Sequence, residues 1–362
     1  MLDYTHSFSK NFTEKVNRTQ EVFYKSYLKK YSFIAFLDFL HSESNLEKFG
    51  LDRTHFFKVF GTGIKFENFK SRLIECGSFL SFRYYYRRDE TKLHDANFCR
   101  ADKLCSACAV RRAYKQQQKF LKAWGREKDL RSKNWYYIVI PVKHSFGEAI
   151  EVVYDRLDRV RKSILKAVRN SKSGRKAGFW GQFDGGMGSI EVTRTYNGWN
   201  VHLNLLVSTS SEIELKQIIT KGRKGYKENY INEDLMKHLE RVGDGSYVHN
   251  ISKIDTSNEE SLRASLVEVL KYSLKFSSLS VLDLIEVYMK LYRKRLFFTF
   301  GNMWGLKLDE VELEGDDVVD NEFIEVIYNR VFGGYAVFQR RFVCSDCDSF
   351  SLHSELVNVN EA

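Results

Sequence analysis

The 362-residue sequence predicts an α+β fold. The expected core is an antiparallel sheet of the split βαβ, ferredoxin-like kind with helices on one face, together with a small zinc-binding module and accessory helices. Three observations predict it. The stretch GSIEVTRTYNGWNVHLNLLV, Gly188 to Val207, reads as two alternating strands joined at Asn197-Gly198. A strand and a helix precede this hairpin, and a further strand and helix follow it. Four of the six cysteines, Cys76, Cys99, Cys105 and Cys108, crowd into one stretch upstream.

Composition narrows the class of partner. Lys and Arg outnumber Asp and Glu by 57 to 47, a net charge of +10, which points to a polyanion and first of all to nucleic acid. The 28 Phe and 20 Tyr residues supply core and, on the surface, stacking area for unpaired bases. A chain that is 43% hydrophobic and 29% charged has the make-up of a globular protein, with one large or two ordinary domains. The opening MLDYTHSFSKNF has no apolar signal-peptide core, and no apolar run reaches the roughly 18 residues of a membrane span. A cytoplasmic protein without a membrane partner is therefore expected. In that reducing compartment metal binding or burial explains six cysteines better than disulfides do.

Residues 1–69 read as a basic, mainly helical N-terminal region rich in mixed aromatic and charged residues. Residues 70–125 hold the cysteine module and a basic helix. There Cys105 and Cys108 form a Cys-x2-Cys knuckle able to give two thiolates to one tetrahedral zinc, and Cys76 and Cys99 complete a four-cysteine set. A second knuckle, Cys344 and Cys347, offers an alternative to Cys76 and Cys99. On the basic helix after the module, Arg111, Arg112, Lys115, Lys119 and Lys122 form either a phosphate-contacting surface or a merely solvated face.

The main domain is expected over residues 131–305. NWYYIVIPVKH is a buried strand, and a helix with apolar residues at helical spacing follows over roughly 148–169. Beyond the hairpin, SEIELKQIITKGRKGY begins as helix and ends in a basic loop, EDLMKHLERV is a short helix, and YVHNISKI is a strand over 247–254. Ser257 and Glu260 make a capping box that opens the next helix, on which Glu268 and Tyr272 lie one turn apart on one face with Lys275 three residues further. Residues 306–362, acidic and then basic, form a C-terminal accessory region.

Within the hairpin, alternation puts His202 and Asn204 on the face opposite Val201, Leu203, Leu205 and Val207, and Glu191 on the partner strand shares their face. An imidazole, an amide oxygen and a carboxylate converging there suit Mn²⁺ or Mg²⁺ better than zinc. The plainer alternative is a hairpin with one polar face. A tyrosine hydroxyl, with a pKa near 10, is a poor nucleophile unless a metal polarises the phosphate it attacks and the bond is held in line. Glu268 is placed to take the tyrosine proton or activate water, and Lys275 to neutralise the phosphate.

Taken in order, these segments resemble the replication initiators of rolling-circle plasmids, a family of HUH endonucleases. ECGSFLSF with KLHDANFCRADKLCSACAVRRA resembles the cysteine-bearing segment of that family, and WYYIVIPVKH its first motif strand. GSIEVTRTYNGWNVHLNLLV is similar to the second motif and VEVLKYSLK to the third, so the resemblance covers roughly residues 70–305. It implies an HUH-type sheet and a nickase that acts at the plasmid's double-strand origin. Tyr272 would attack the origin phosphodiester and stay on the 5′ end, leaving a free 3′-hydroxyl primer. Glu268 would let water end the last cycle, and His202 and Glu191 would bind the metal. Origin DNA, double- and single-stranded, and a host helicase are the implied partners. The chain departs from the pattern at Asn204, where members usually carry a second histidine, and Asn200 stands where a further one is often found. An amide oxygen at 204 makes a more Mg²⁺-like site or one of reduced activity.

Rival readings are a relaxase or transposase using the same metal–tyrosine chemistry, a non-catalytic zinc-containing DNA-binding regulator that has lost the metal site at Asn204, and an RNA-binding protein. No Gly-x4-Gly-Lys-Ser/Thr motif occurs, which excludes a relaxase fused to a helicase.

Overall fold

In the computed structural model, residues 8–41, 43–173, 178–222, 225–242, 250–270, 278–304 and 323–343 are described. The chain opens with four helices, α1 (Lys10–Leu40), α2 (Glu43–Lys48), α3 (Arg53–Phe60) and α4 (Ile64–Glu75), then strands β1 (Phe79–Tyr85) and β2 (Glu90–Ala96). Helices α5 (Ser106–Arg126) and α6 (Lys128–Ser132) lead into β3 (Asn134–Pro141), α7 (Ile150–Lys172), β4 (Gly185–Thr195) and β5 (Gly198–Thr209). Next come β6 (Lys216–Gly222), β7 (Gly225–Ile231), α8 (Glu233–Val242), β8 (Asn250–Ile254), α9 (Glu259–Leu270), α10 (Val281–Lys290) and β9 (Phe297–Gly301). A last hairpin, β10 (Phe323–Val331) and β11 (Gly334–Val343), ends the described chain. Where four segments were expected, two units form: Met1–Cys108 with Glu314–Ala362, and Ala109–Leu313.

The first unit is built on α1 and a four-stranded antiparallel sheet in the order β11-β10-β1-β2. Ser9 caps α1 by accepting the Phe12 N–H at 3.1 Å. One stripe of α1, Phe23, Ser26, Lys30, Phe33, Leu37 and Leu40, recurs every three or four residues and is buried. The C-terminal region is thus no appendage, because β10 pairs along β1 from Phe79↔Asn329 to Tyr84↔Ile324.

The second unit is a five-stranded antiparallel sheet, β8-β3-β5-β4-β9, with the separate hairpin β6-β7. β3, α7, β4, β5, α8 and β8 follow the β-α-β-β-α-β path of a split βαβ, with β6 and β7 inserted before α8 and β9 added outside β4. Val201, Leu203, Leu205 and Val207 are fully buried on the α7 side, where the Arg161 guanidinium lies 5.3 Å from the centre of the Phe298 ring. α8 packs on α7 on this side, Ser163 meeting His238 at 3.2 Å.

The expectation of helices on one face fails for the other side of the sheet. There Leu262, Leu266, Val269 and Leu270 of α9, with Phe120 of α5, close over Trp135, Met187 and Leu206. Each such burial contributes roughly 1.5–3 kcal/mol, so a face carrying these residues cannot stay bare. Asn258 rather than Ser257 starts α9, its side chain accepting the Glu260 N–H at 2.9 Å. The stretch expected to begin as helix forms β6 instead: Gln217, Ile218 and Ile219 pair with Tyr230, Asn229 and Glu228, and the β-branched pair suits a strand. The β4–β5 turn is offset by one residue from the expected site. Thr195 pairs with Gly198, so Tyr196 and Asn197 form the loop, and only Gly198 takes a positive φ, of 106°.

Candidate functional site

Two polar clusters stand out, one in each unit. In the first unit, α4 ends at Cys76, and Gly77 follows with a φ of +71°, where an added Cβ would lie 2.3 Å from the Phe23 ring. That bend turns the chain into β1 with Cys76 facing inward. Cys99 lies in the connection after β2, and Cys105 and Cys108 come from the start of α5, where the Cys105 N–H donates to the Ala101 carbonyl at 2.8 Å. All four thiols are buried and free. Their sulfurs lie 3.6 Å apart for Cys76 and Cys105, 3.7 Å for Cys76 and Cys108, and 3.5 Å for Cys99 and Cys108.

These separations rule out disulfides, which need about 2.05 Å. They match the edges of a sulfur tetrahedron around zinc, roughly 3.8 Å for Zn–S bonds of about 2.3 Å. All four ligand atoms lie within 4.8 Å of one another. The expected set therefore converges, and it could hold a metal such as zinc. Cys105 is held far below the usual thiol range by hydrogen bonds from Cys108, Cys76 and Cys99, with Lys30 helping, whereas Cys108 is pushed up chiefly by Cys105. Thiols crowded this closely favour a cation that lets all of them ionise. Cys344 and Cys347 lie outside the described residues.

In the second unit, Glu191 and His202 are direct cross-strand partners, and Asn204 pairs with Ser189 on one side and Val139 on the other. His202 Nε2 lies 3.3 Å from Glu191 Oε2, and the Asn204 amide donates to the same oxygen at 3.1 Å. A carboxylate at that atom accepts, so it fixes the amide with its nitrogen toward Glu191. Asn204 Oδ1 then faces away and accepts the Tyr137 hydroxyl at 3.0 Å. Burial, reinforced by the charges of Glu268 and Glu191, pushes the Tyr137 hydroxyl well above its ordinary range, so it stays a donor. Ser189 is fully buried on this face with its hydroxyl unsatisfied.

The donor set tests the expected Mn²⁺ or Mg²⁺ ligands. His202 and Glu191 lie in contact, and both carry donor atoms such an ion accepts. Asn204 is differently employed: its oxygen is taken by Tyr137, and it orients Glu191. Among the described residues the four cysteines are the one group of three or more His, Cys, Asp or Glu side chains gathered to hold a metal. A divalent ion at His202 and Glu191 would complete its shell with water and phosphate, as Mg²⁺ commonly does.

Glu268 is half-buried on α9, near enough for its charge to act on Tyr137. Tyr272 and Lys275 lie outside the described residues. On α5, Arg112 and Lys122 are exposed, whereas Arg111, Lys115 and Lys119 are half-buried, on a helix whose Phe120 ring meets Trp135 edge-to-face and whose Trp124 ring meets it at a tilt. Tyr137 was missed in the sequence, although alternation in WYYIVIP shows a hydroxyl on the face opposite Ile138 and Ile140. Lys30 and Ser26 were missed as polar members of an apolar helical stripe. No described helix is long and apolar enough to cross a membrane. Comparison with family models, with curated proteins and with solved structures yielded no match.

Proposed function

We propose that this chain is a DNA strand-cleaving enzyme of the HUH replication-initiator type, in which Tyr272 is the nucleophile. One observation supports it most: His202 and Glu191 meet on the sheet face whose Tyr137 also senses Glu268, and Glu268 stands four residues before Tyr272. The split βαβ path of the sheet agrees with an HUH-type fold. The phenolic oxygen of Tyr272 forms a bond to the phosphorus of a phosphodiester, and the bond to the 3′-oxygen breaks. The phenol's proton leaves by way of Glu268, and a proton returns to the 3′-oxygen, giving a free 3′-hydroxyl and a 5′-phosphotyrosine ester. Glu268 later serves as base for the water that clears this ester, and Lys275 offsets phosphate charge. His202 and Glu191 would hold manganese or magnesium, which when bound would supply Lewis-acid polarisation of the phosphate. Arg111, Arg112, Lys115 and Lys119 contact the DNA backbone, and a host helicase unwinds ahead of the primer.

A second reading, a zinc-containing DNA-binding regulator, draws on the engagement of Asn204 by Tyr137 instead of by a metal. One experiment separates them. Purified protein is mixed with supercoiled plasmid and with a random single-stranded oligonucleotide pool in Mn²⁺, then run on a denaturing gel, and captured strands are sequenced. The nickase reading predicts a protein–DNA band that disappears with EDTA and with Tyr272→Phe, and accumulates with Glu268→Ala. DNA that is retained under native conditions yet never linked would overturn it in favour of the regulator.

A further inference from the structure

Lys30 is a charged side chain with 1% exposure on the apolar stripe of a helix. Its ammonium donates to the main-chain carbonyl of Cys76 at 3.2 Å, and among the described residues no carboxylate pairs with it. A buried ammonium whose hydrogen-bond acceptor is a neutral carbonyl is costly unless a nearby negative charge offsets it. Arg330, from β10, approaches the same atom: Nη1 donates to the Cys76 carbonyl at 3.2 Å and Nη2 to the Ile74 carbonyl at 2.6 Å. Its guanidinium is held 3.9 Å from the centre of the Tyr27 ring. One turn before Lys30, the Ser26 hydroxyl lies 3.3 Å from Cys105 Sγ. Two cations from opposite ends of the chain thus converge on the backbone of one cysteine of the cluster.

We infer that Lys30 and Arg330 are the counter-cations of a four-thiolate metal centre, and that they tie α1 and the β10–β11 hairpin to it. Four thiolates around Zn²⁺ leave a formal charge of two minus, and these two side chains supply two plus. The inference rests on occupancy of the cysteine cluster and is independent of the nickase reading. Outer-shell partners of this kind typically change metal affinity by roughly 10–100-fold. Lys30 and Arg330 are positioning residues, since neither can ligate zinc as a cation.

The test measures zinc per chain and the rate of zinc transfer to a chromogenic chelator for the full chain and for Lys30→Met, Lys30→Gln, Arg330→Gln and the surface control Lys25→Met. Lys30→Gln removes the charge while retaining a polar N–H donor on a side chain one atom shorter. Release about 10–100-fold faster in both Lys30 variants and in Arg330→Gln, with Lys25→Met unchanged, is the expected result. Cobalt-loaded variants should keep the absorption of a four-sulfur site, which shows the ligands intact. Thermal stability gives a further sign: Lys30→Met should lower it in the zinc form and leave it equal or higher in the zinc-free form. Zinc release from Lys30→Gln at the unmutated rate, or equal destabilisation with and without zinc, would overturn the proposal. If Lys30 variants do not fold, Arg330→Gln carries the same test from its half-buried position. A folded parent chain without zinc would instead refute the centre itself.

Discussion

The cysteine cluster of the first unit and the polar cluster of the second are built in opposite ways, and among the described residues only the first gathers enough donors to enclose a metal ion. The first gathers four identical soft donors, all buried, at tetrahedral separations, with two cations behind them. The second offers one partly exposed imidazole and one buried carboxylate on a sheet face, and its amide orients the carboxylate. A closed donor set leaves no position for a substrate, so the first cluster suits a structural ion. On the strand-cleaving function proposed above, the incomplete second set would leave room for phosphate oxygens on its ion.

The comparison is broken most forcefully at Cys105. Cys105→Ser removes one of the four sulfurs, and loss of a structural metal is among the few changes worth about 4–5 kcal/mol or more. Zinc content should fall to near zero, and the first unit should become protease-sensitive while the second stays folded, as read by limited proteolysis and mass spectrometry.

On the strand-cleaving function proposed above, His202→Ala should leave the fold intact and slow cleavage about 100-fold or more, the scale of several kcal/mol of Lewis-acid stabilisation. Tyr137→Phe is the finer probe. It leaves Asn204 Oδ1 buried without its donor, which should cost about 1–3 kcal/mol of stability by denaturant titration and about tenfold in cleavage. A Tyr137→Phe protein as stable and active as the parent would show that Asn204 is not held as described.

How far the sequence showed these two clusters follows from the range of the interactions. Cys105 and Cys108 were legible because a knuckle is local, and Cys76 and Cys99 because they lie close by. His202, Asn204 and Glu191 were legible because strand alternation and a short turn fix their face even when the turn itself is one residue off. The role of Asn204 was not, since it depends on Tyr137 from a third strand, more than sixty positions away. Nor was the pairing of β10 with β1, where Ser81 donates to Glu325 across 244 positions of the chain. Ile218 and Ile219 fit a helical spacing as well as a strand, and only pairing with β7 decides between them.

The smallest expected effect is one of pH. Burial, aided by Arg241, lowers the pKa of His238 on α8 below its ordinary 6.5, so the folded chain binds fewer protons there than the unfolded chain does. Stability should therefore be fully present above about pH 6.5 and decline as pH falls through that value. His238→Gln should flatten this dependence in thermal melts between pH 7 and 5.

The contrast between a closed and an open cation site is tested most directly by counting metals. Purified full-length chain, exchanged through metal-free buffer and then equilibrated with excess Mn²⁺ before a second exchange, is analysed by mass spectrometry for both elements. One zinc per chain retained throughout, with manganese lost on exchange, is the predicted result. A folded chain without zinc, or manganese held as firmly as zinc, would contradict the account.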